Sequence, residues 1–286
     1  MALALRNWAG NLAYSAESVY YPTSVVEVQE LVARLPRVKA LGTRHSFTTI
    51  ADSPGGALIS LSELAPEVTI DADAMTVSVT GGTRYGTLAA ELQAHGYALH
   101  NTGSLPHISV AGATATGTHG SGDRNGILST AVSAVELVKS DGSLVTVDRS
   151  NPDLKALAVG LGAFGVIARV VLDMQPTYLV RQDVYRNAPW DSVLDAFDAV
   201  MASAYSSPSR MGEPRRPHWS RNRAVVNRSR WLNAQDSRSR SANPIVPEPC
   251  PQPTGTSGRA LSSDEVGSGV KRAVQPYPVW RCREGL

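Results

Sequence analysis

Two segments of the sequence combine glycines, small polar residues and a histidine in a way that suits phosphate recognition. The first is Gly42-Thr43-Arg44-His45-Ser46-Phe47, and the second extends from Gly103 to Gly122. Tight turns of this composition expose consecutive backbone N–H groups, which form anion-binding concavities without needing a lysine. In the second segment Ser109 is placed as an N-cap before Val110, which would direct a helix N-terminus toward the same anion. One such segment is simply a turn, but two of them, about sixty residues apart, favour a shared ligand.

Residues 160–165, with the sequence Gly-Leu-Gly-Ala-Phe-Gly, match the G-x-G-x-x-G pattern of dinucleotide-binding folds. That fingerprint requires a strand before the glycines and a helix after them, so that the pyrophosphate meets the helix N-terminus. Here a predicted helix over 151–159 precedes the glycines and a predicted strand over 165–174 follows them. This order excludes a Rossmann domain and indicates a tight turn at which the backbone could approach a ligand closely.

The other histidines do not predict a metal site. His95 ends a predicted helix next to Gly96 and is expected to cap its C-terminus, while His100 and His107 are open to a structural role. His218 lies in the segment after residue 205 and is expected to be exposed. No pair of histidines has metal-ligand spacing with a carboxylate partner, so no metal is expected.

The elements that must position these segments alternate between helical and strand periodicity. Pro22-Thr23-Ser24 gives a capped helix start, and Asp141-Gly142 is a strong hairpin signal. The pattern predicts helices over 25–35, 85–95, 151–159 and 190–205, and strands over 37–41, 57–61, 69–71, 76–80, 132–139, 143–147, 165–174 and 183–185.

The composition changes after residue 205. The first 205 residues hold 13 basic and 19 acidic side chains, whereas 206–286 hold 14 and 6, with 10 of the 18 prolines and both cysteines, Cys250 and Cys282. Prolines disfavour long helices and central strands, and few clustered apolar residues remain, so we expect a disordered basic tail. Two origins stay open, a reading-frame shift in a truncated gene and a genuine basic linker.

The first 205 residues predict a soluble, cytoplasmic protein that is monomeric. No run of about 18 apolar residues occurs, and the N-terminus lacks the basic start and apolar run of a secretory signal. Without cysteines, this part has neither a disulfide nor a thiolate metal site and depends on packing. We expect no membrane and no nucleic-acid partner.

Over residues 7–205 the chain resembles the vanillyl-alcohol-oxidase-type flavoproteins, and within them the alditol (xylitol/sorbitol) oxidases. The most specific parts of the resemblance are the motifs at 42–47 and 115–122. The resemblance implies an α+β fold, with a PCMH-type FAD-binding domain of two α/β subdomains over 1–180. Residues 181–205 would begin a substrate domain that is then cut short, and 206–286 would be the disordered tail.

The resemblance also assigns roles to individual residues. His45 would be bonded covalently, through a ring nitrogen, to the 8α-methyl group of FAD. Ser104 is open to two roles, a turn former or a contact to flavin or substrate. The residues implied to bind the cofactor are Leu41, Gly42, Thr43, Arg44, His45, Ser46, Phe47, Ser104, Ser109, Gly112, Thr116, Gly117, Thr118, His119, Val166 and Ile167.

The reaction implied by the resemblance is oxidation of a primary alcohol of a polyol to the aldehyde, with dioxygen reduced to hydrogen peroxide. Such a step also needs a proton acceptor and polar groups that hold the polyol, which the family takes from its C-terminal substrate domain. We therefore expect FAD binding with impaired catalysis, and the catalytic residues are unknown. Two alternatives stay open: a sugar-1,4-lactone oxidase of the same flavin family, and a non-catalytic module whose basic tail binds a polyanion.

Overall fold

A computed structural model describes residues 5–202, together with 205, 209–211, 223–232 and 273–276. The chain divides into two compact units. Among the described residues, unit 1 consists of 5–120 and 126–177, and unit 2 of 121–125 and those from Tyr178 onward. Within the described residues, no helix combines the length and the apolar character needed to cross a lipid bilayer.

Unit 1 mixes helices and strands along the chain. In chain order its elements are β1 (Ser18–Tyr20), α1 (Val25–Arg34), β2 (Val38–Leu41), β3 (Ala57–Ser60), β4 (Val68–Asp71), β5 (Thr76–Thr80), α2 (Tyr85–Ala94), β6 (Tyr97–Ala98), α3 (Val110–Ala115), β7 (Val132–Val138), β8 (Leu144–Asp148), α4 (Leu154–Ala158), β9 (Val166–Asp173) and β10 (Gln175–Pro176).

The strands of unit 1 form three sheets. A small parallel sheet has the order β1-β3-β2, a five-stranded antiparallel sheet has the order β4-β5-β9-β7-β8, and β6 pairs with β10. Helix α1 connects β1 to β2, which are parallel strands of one sheet on either side of β3 and so need a crossover connection. Its start follows from the sequence, because the Ser24 hydroxyl accepts a hydrogen bond from the Glu27 N–H at 3.2 Å and the Glu27 carboxylate accepts one from the Thr23 N–H at 2.8 Å.

In the core of this unit, α1 packs against the parallel sheet and the five-stranded sheet. Val28, Leu31 and Val32 of the helix cluster with Ile59 of the parallel sheet and with residues of β7 and β9. Along β9 the side chains alternate between buried and half-buried, beginning with buried Val166. Burial of each such aliphatic side chain stabilises the fold by about 1.5–3 kcal/mol.

Most predicted elements of unit 1 are confirmed, with shifted ends. The predicted hairpin is present, with β7 paired antiparallel to β8 and Gly142 in the left-handed region at φ +79°. Helix α2 ends at Ala94 with His95 as its C-cap and Gly96 at φ +81°. Helix α4 is shorter than the predicted 151–159, because Asn151 and Asp148 form turns before it: the N–H groups of Asp153 and Ser150 donate to their side chains.

The described part of unit 2 contains one antiparallel sheet and two short helices. Its elements are β11 (Leu179–Pro189), α5 (Trp190–Asp195), α6 (Phe197–Ala202), β12 (Ser209–Met211), β13 (Arg223–Leu232) and β14 (Ala273–Pro276), and the sheet order is β12-β13-β11-β14. The short segment Ser121–Asn125 belongs to this unit, since the Asn125 side-chain N–H donates to the Tyr205 carbonyl at 2.7 Å.

Unit 2 differs from the sequence prediction in three places. The strand predicted over 183–185 extends through the whole of β11, because it pairs with β13 along nearly its full length. The helix predicted over 190–205 is divided into α5 and α6. Three strands lie in the segment 206–286, where the sequence predicts no regular structure; the longest, β13, contains the strand-favouring run Ala224-Val225-Val226. The rest of that segment, with Cys250, Cys282 and His218, lies outside the described residues.

Candidate functional site

Unit 1 contains a cavity of about 1030 Å³. Drug-sized ligands occupy cavities of roughly 300–1,000 Å³, so this cavity can accommodate a large cofactor. The described residues that line it include two arginines, Arg44 and Arg84, and no Asp or Glu. Of the residues predicted to bind the cofactor, the cavity brings together Leu41, Gly42, Thr43, Arg44, His45, Ser46, Phe47, Ser109, Gly112, Thr116, Thr118 and Ile167.

The loop after β2 presents a run of backbone donors to this cavity. The N–H groups of residues 43–47 have no acceptor among the described residues. Arg44 lies in the left-handed region at φ +65°, an uncommon conformation for a residue with a Cβ. Successive N–H groups in a loop with alternating right- and left-handed residues form a concave site for an anion. The loop therefore provides the donors that the sequence predicts.

The N-terminal segment holds the same loop from its other side. The backbone N–H of Trp8 donates to the Arg44 carbonyl at 2.7 Å, and the side-chain N–H of Asn7 donates to the Ser46 carbonyl at 3.0 Å. Asn7 is buried and also bonds Asn11 and the Leu12 N–H. The two carbonyls that flank His45 thus both accept hydrogen bonds, whereas the N–H groups of residues 43–47 have no acceptor among the described residues.

Two aromatic side chains contact the histidine of this loop. The His45 ring centroid lies 5.2 Å from that of Trp8 and 4.7 Å from that of His107, and Trp8 and His107 are 6.2 Å apart. The Nδ1 atom of His45 lies 3.0 Å from the Thr43 hydroxyl. The Nε2 atoms of His45 and His107 are both buried without a hydrogen-bond partner among the described residues. Burial lowers the pKa of His45 and the neighbouring His107 lowers it further, so the neutral imidazole is favoured.

The second segment forms a wall of small side chains around α3. A Cβ atom added at Gly112 would lie 2.7 Å from the Ser109 hydroxyl oxygen, and one added at Gly42 would lie 3.1 Å from the same atom. That hydroxyl is buried and has no partner among the described residues. An orphaned buried hydroxyl between two glycines is suited to a ligand atom that approaches the backbone closely.

The expected role of the α3 N-terminus is only partly realised. Ser109 is the N-cap residue, but its side chain makes no capping bond, and its N–H donates to the Thr43 hydroxyl. The N–H groups of Val110 and Ala111 donate to the carbonyls of Thr83 and Gly81. Hydrogen bonds to the loop after β5 therefore occupy the N–H groups of Val110 and Ala111. The sequence of α3 alone could not indicate these bonds.

Two further backbone segments line the cavity. After β5, a Cβ at Gly81 would lie 2.3 Å from the Ile167 carbonyl oxygen, and one at Gly82 would lie 2.0 Å from the Leu61 carbonyl oxygen. Both positions therefore require glycine. The turn at 160–165 follows α4 and precedes β9, as predicted, and contributes Leu161, Gly162 and Gly165 to the lining.

Four predicted residues are not among those that line the cavity. Ser104 and His119 are exposed, and His119 Nδ1 lies 3.0 Å from the Gly120 carbonyl. Gly117 forms a turn at φ +64°. Val166 packs in the core with α1, because alternation along β9 directs it away from the face of Ile167.

Several lining residues lay outside the predicted site, among them Trp8, Arg84 and His107. Trp8 and Arg84 lie outside the two predicted segments, whereas His107 lies within the second one, where the sequence left it open to a structural role. Only the position of His107 two residues before Ser109 could have indicated it.

Comparison with known proteins agrees with this geometry. Residues 16–148 match a family described as FAD binding domain. The chain is 44% identical over 208 residues to the alditol oxidase of a Streptomyces species, covering 72% of this chain and 50% of the relative. It is 34% identical over 200 residues to the L-gulonolactone oxidase of Mus musculus, covering 68% and 45%. The cholesterol oxidase structure from B. sterolicum superimposes with a TM-score of 0.66 at 18% identity, over 80% of this chain and 47% of that one.

The chain spans about half the length of the relatives that it matches. The solved structure shares the mixed α/β fold predicted from the sequence. Residues 16–148 match the FAD binding domain family, and the fold of the chain is the cholesterol-oxidase-like fold of PCMH type that the sequence predicts.

Proposed function

We propose that the cavity of unit 1 binds FAD, with the diphosphate against the N–H groups of residues 43–47. The observation that carries this assignment is the run of unpaired donors in a cavity that has two arginines and no carboxylate among its described lining residues. A diphosphate is the part of FAD that such a site favours. The orphaned Ser109 hydroxyl and the glycines beside it provide a second surface against which the cofactor fits.

We further propose that FAD is attached covalently to His45. The neutral imidazole that burial and His107 favour is the form with a lone pair available for bond formation. The ring lines the cavity, so it can meet a ligand bound there. Roles for Ser104, Gly117, His119 and Val166 at the flavin stay predictions, as do a cytoplasmic location and a monomeric state.

The reaction we propose is oxidation of a primary alcohol of a polyol such as xylitol or sorbitol to the aldehyde. Bound FAD would accept the hydride and pass two electrons to dioxygen, giving hydrogen peroxide. The identity of 44% to an alditol oxidase supports this substrate class. The identity of 34% to an L-gulonolactone oxidase supports a sugar-1,4-lactone as the alternative substrate.

We propose that this chain turns over slowly. Among the described lining residues, the side chains able to accept a proton at neutral pH are His45 and His107, and the proposed attachment would occupy the first. One remaining proton acceptor among the described lining residues gives the reacting alcohol little of the positioning on which the rate depends.

The absorbance of the purified chain after acid denaturation tests the cofactor assignment. We expect yellow absorbance that remains with the polypeptide, and we expect His45→Ala to release it while still binding FAD before denaturation. His95→Ala is the matched control, because His95 is exposed at the end of α2 and lies outside the cavity lining. A folded, colourless chain that takes up no added FAD would refute the proposal.

A peroxide assay separates the substrates. Xylitol, sorbitol and L-gulono-1,4-lactone are supplied to the loaded chain, and hydrogen peroxide is measured. Slow release with the polyols supports the first assignment, and release with the lactone alone supports the alternative. Fast turnover with any of them would contradict the expected slow catalysis.

A further inference from the structure

The side-chain rings of Trp8, His45 and His107 form a three-ring cluster beside the proposed diphosphate site, and hydrogen bonds from Trp8 and Asn7 hold the loop of His45 against the N-terminal segment. All three residues line the cavity. The buried Nε2 atoms of His45 and His107 have no hydrogen-bond partner among the described residues, and an unsatisfied buried polar group destabilises a fold. A costly arrangement beside a binding site requires an explanation.

We propose that Trp8 and His107 are positioning residues that fix the His45 imidazole, in its neutral form, for attachment to the flavin. This inference rests on the proposed covalent role of His45. A histidine on a loop ordinarily samples several rotamers, whereas bond formation requires reacting atoms about 3–3.5 Å apart in one orientation. The cluster restricts the ring before the cofactor arrives.

Trp8 contacts His45 because the N-terminal segment is hydrogen-bonded to both residues adjacent to that histidine in the chain, Arg44 and Ser46. Its own N–H bonds the Arg44 carbonyl, and Asn7 bonds the Ser46 carbonyl. The Trp8 and His45 rings then stack at an interplanar angle of 24°. The indole therefore moves with the loop and limits rotation of the imidazole.

His107 contacts the imidazole from the second segment, at an interplanar angle of 48°. At this distance the His107 imidazole disfavours the charged form of His45 and lowers the pKa of His45. Arg44, which also lines the cavity, lowers the pKa of His45 as well, while the hydrogen bond with Thr43 raises it. No Asp or Glu among the described lining residues offsets this effect.

The chemistry that the cluster prepares is an oxidative coupling. One N–C bond replaces the imidazole N–H bond and one C–H bond of the flavin 8α-methyl group. The two protons and two electrons released reduce one dioxygen to hydrogen peroxide. The imidazole must supply an electron pair, which only its neutral form can do.

The first test measures the rate of covalent attachment when apoprotein from a riboflavin-starved host is mixed with FAD. We expect Trp8→Ala and His107→Ala to slow attachment by about tenfold or more, with FAD still bound non-covalently. Trp8→Phe should largely restore the rate, because it keeps an aromatic ring. Phe164→Ala and His95→Ala are the matched controls, since both residues are exposed and neither lines the cavity. Attachment at the wild-type rate in both alanine variants would overturn the proposal.

The second test does not depend on attachment. Histidine side-chain NMR of the apoprotein follows the titration of His45, assigned with His45→Asn. We expect the pKa of His45 to rise in His107→Phe, which keeps a ring but removes the charge. An unchanged titration would overturn the proposed coupling even if the wild-type chain binds no flavin covalently. If the titration of His45 changes in His107→Phe but the wild-type chain attaches no FAD covalently, only the covalent role of His45 is refuted.

Discussion

The two segments that the sequence predicts as phosphate-binding differ in how they use their backbone. In the loop at 43–47, every N–H lacks a protein acceptor among the described residues, while the carbonyls of Arg44 and Ser46 are occupied. In the segment around α3, the N–H groups at 109, 110 and 111 are bonded within unit 1. The first therefore offers donors, and the second offers a close-fitting surface. Similar composition does not imply similar chemistry, because tertiary bonds decide which backbone groups stay free.

The largest expected effect comes from filling the close-fitting surface. Gly112→Ala places a Cβ 2.7 Å from the Ser109 hydroxyl, which must move, so we expect FAD affinity to fall by about tenfold or more. Gly42→Ala, at 3.1 Å from the same atom, should have a smaller effect. The dissociation constant is measured by fluorescence titration in a His45→Ala background, where FAD stays exchangeable.

The matched control for this series is Gly120→Ala, whose Cβ would meet its nearest atom at 3.8 Å. Adding Ser109→Ala to Gly112→Ala removes the clashing oxygen and should recover part of the affinity. Equal affinities for the Gly112→Ala and Gly120→Ala variants would show that α3 does not approach the cofactor.

A smaller effect is expected from the charge at the cavity edge. Arg84 is exposed, and exposed charge pairs contribute about 0.2–1 kcal/mol, so Arg84→Gln should weaken FAD binding by about twofold to fivefold. The loss should shrink as salt is added. Arg34→Gln is the control, since Arg34 is exposed in the last turn of α1 and does not line the cavity. Identical salt dependence in both variants would assign diphosphate binding to the backbone alone.

The smallest effect is on the pH dependence of stability. The pKa of His45 is lowered in the folded state, so the unfolded state binds the proton first as the pH falls. The free energy of unfolding should therefore fall as the pH drops from about 7.5 through the ordinary histidine value near 6.5. His45→Asn should make this fall less steep in urea titrations of the apoprotein. Burial also lowers the pKa of His100, which adds its own decrease in the free energy of unfolding as the pH drops. The variant His100→Asn therefore provides the comparison. No change of slope in His45→Asn would place His45 in a solvent-like environment.

Local signals in the sequence predicted most of unit 1. The cap at Ser24, the hairpin turn at Gly142 and the alternation along β9 each depend on neighbouring residues, and each is present. In unit 2 the sheet depends on pairing between β11 and β13, about fifty residues apart, which no local pattern reveals. Most of the first loop and part of the second could be named in advance.

The remainder of the site depends on contacts between distant segments. Trp8 joins it because Asn7 bonds Ser46, thirty-nine residues away in the chain. His107 belongs to the site because its ring contacts the rings of Trp8 and His45. Of the predicted pair Val166 and Ile167, strand alternation places Val166 in the core and Ile167 at the cavity.

The bond between Asn125 and the Tyr205 carbonyl has a practical consequence for dissecting this chain. Unit 2 takes five residues from the middle of the sequence, so neither unit is one continuous stretch. A Cβ added at Gly122 would lie 2.2 Å from the same carbonyl oxygen, which shows how closely Tyr205 packs there. A fragment cut at Tyr178 would leave residues 121–125 without that neighbour, whereas one that continues past Tyr205 would retain it.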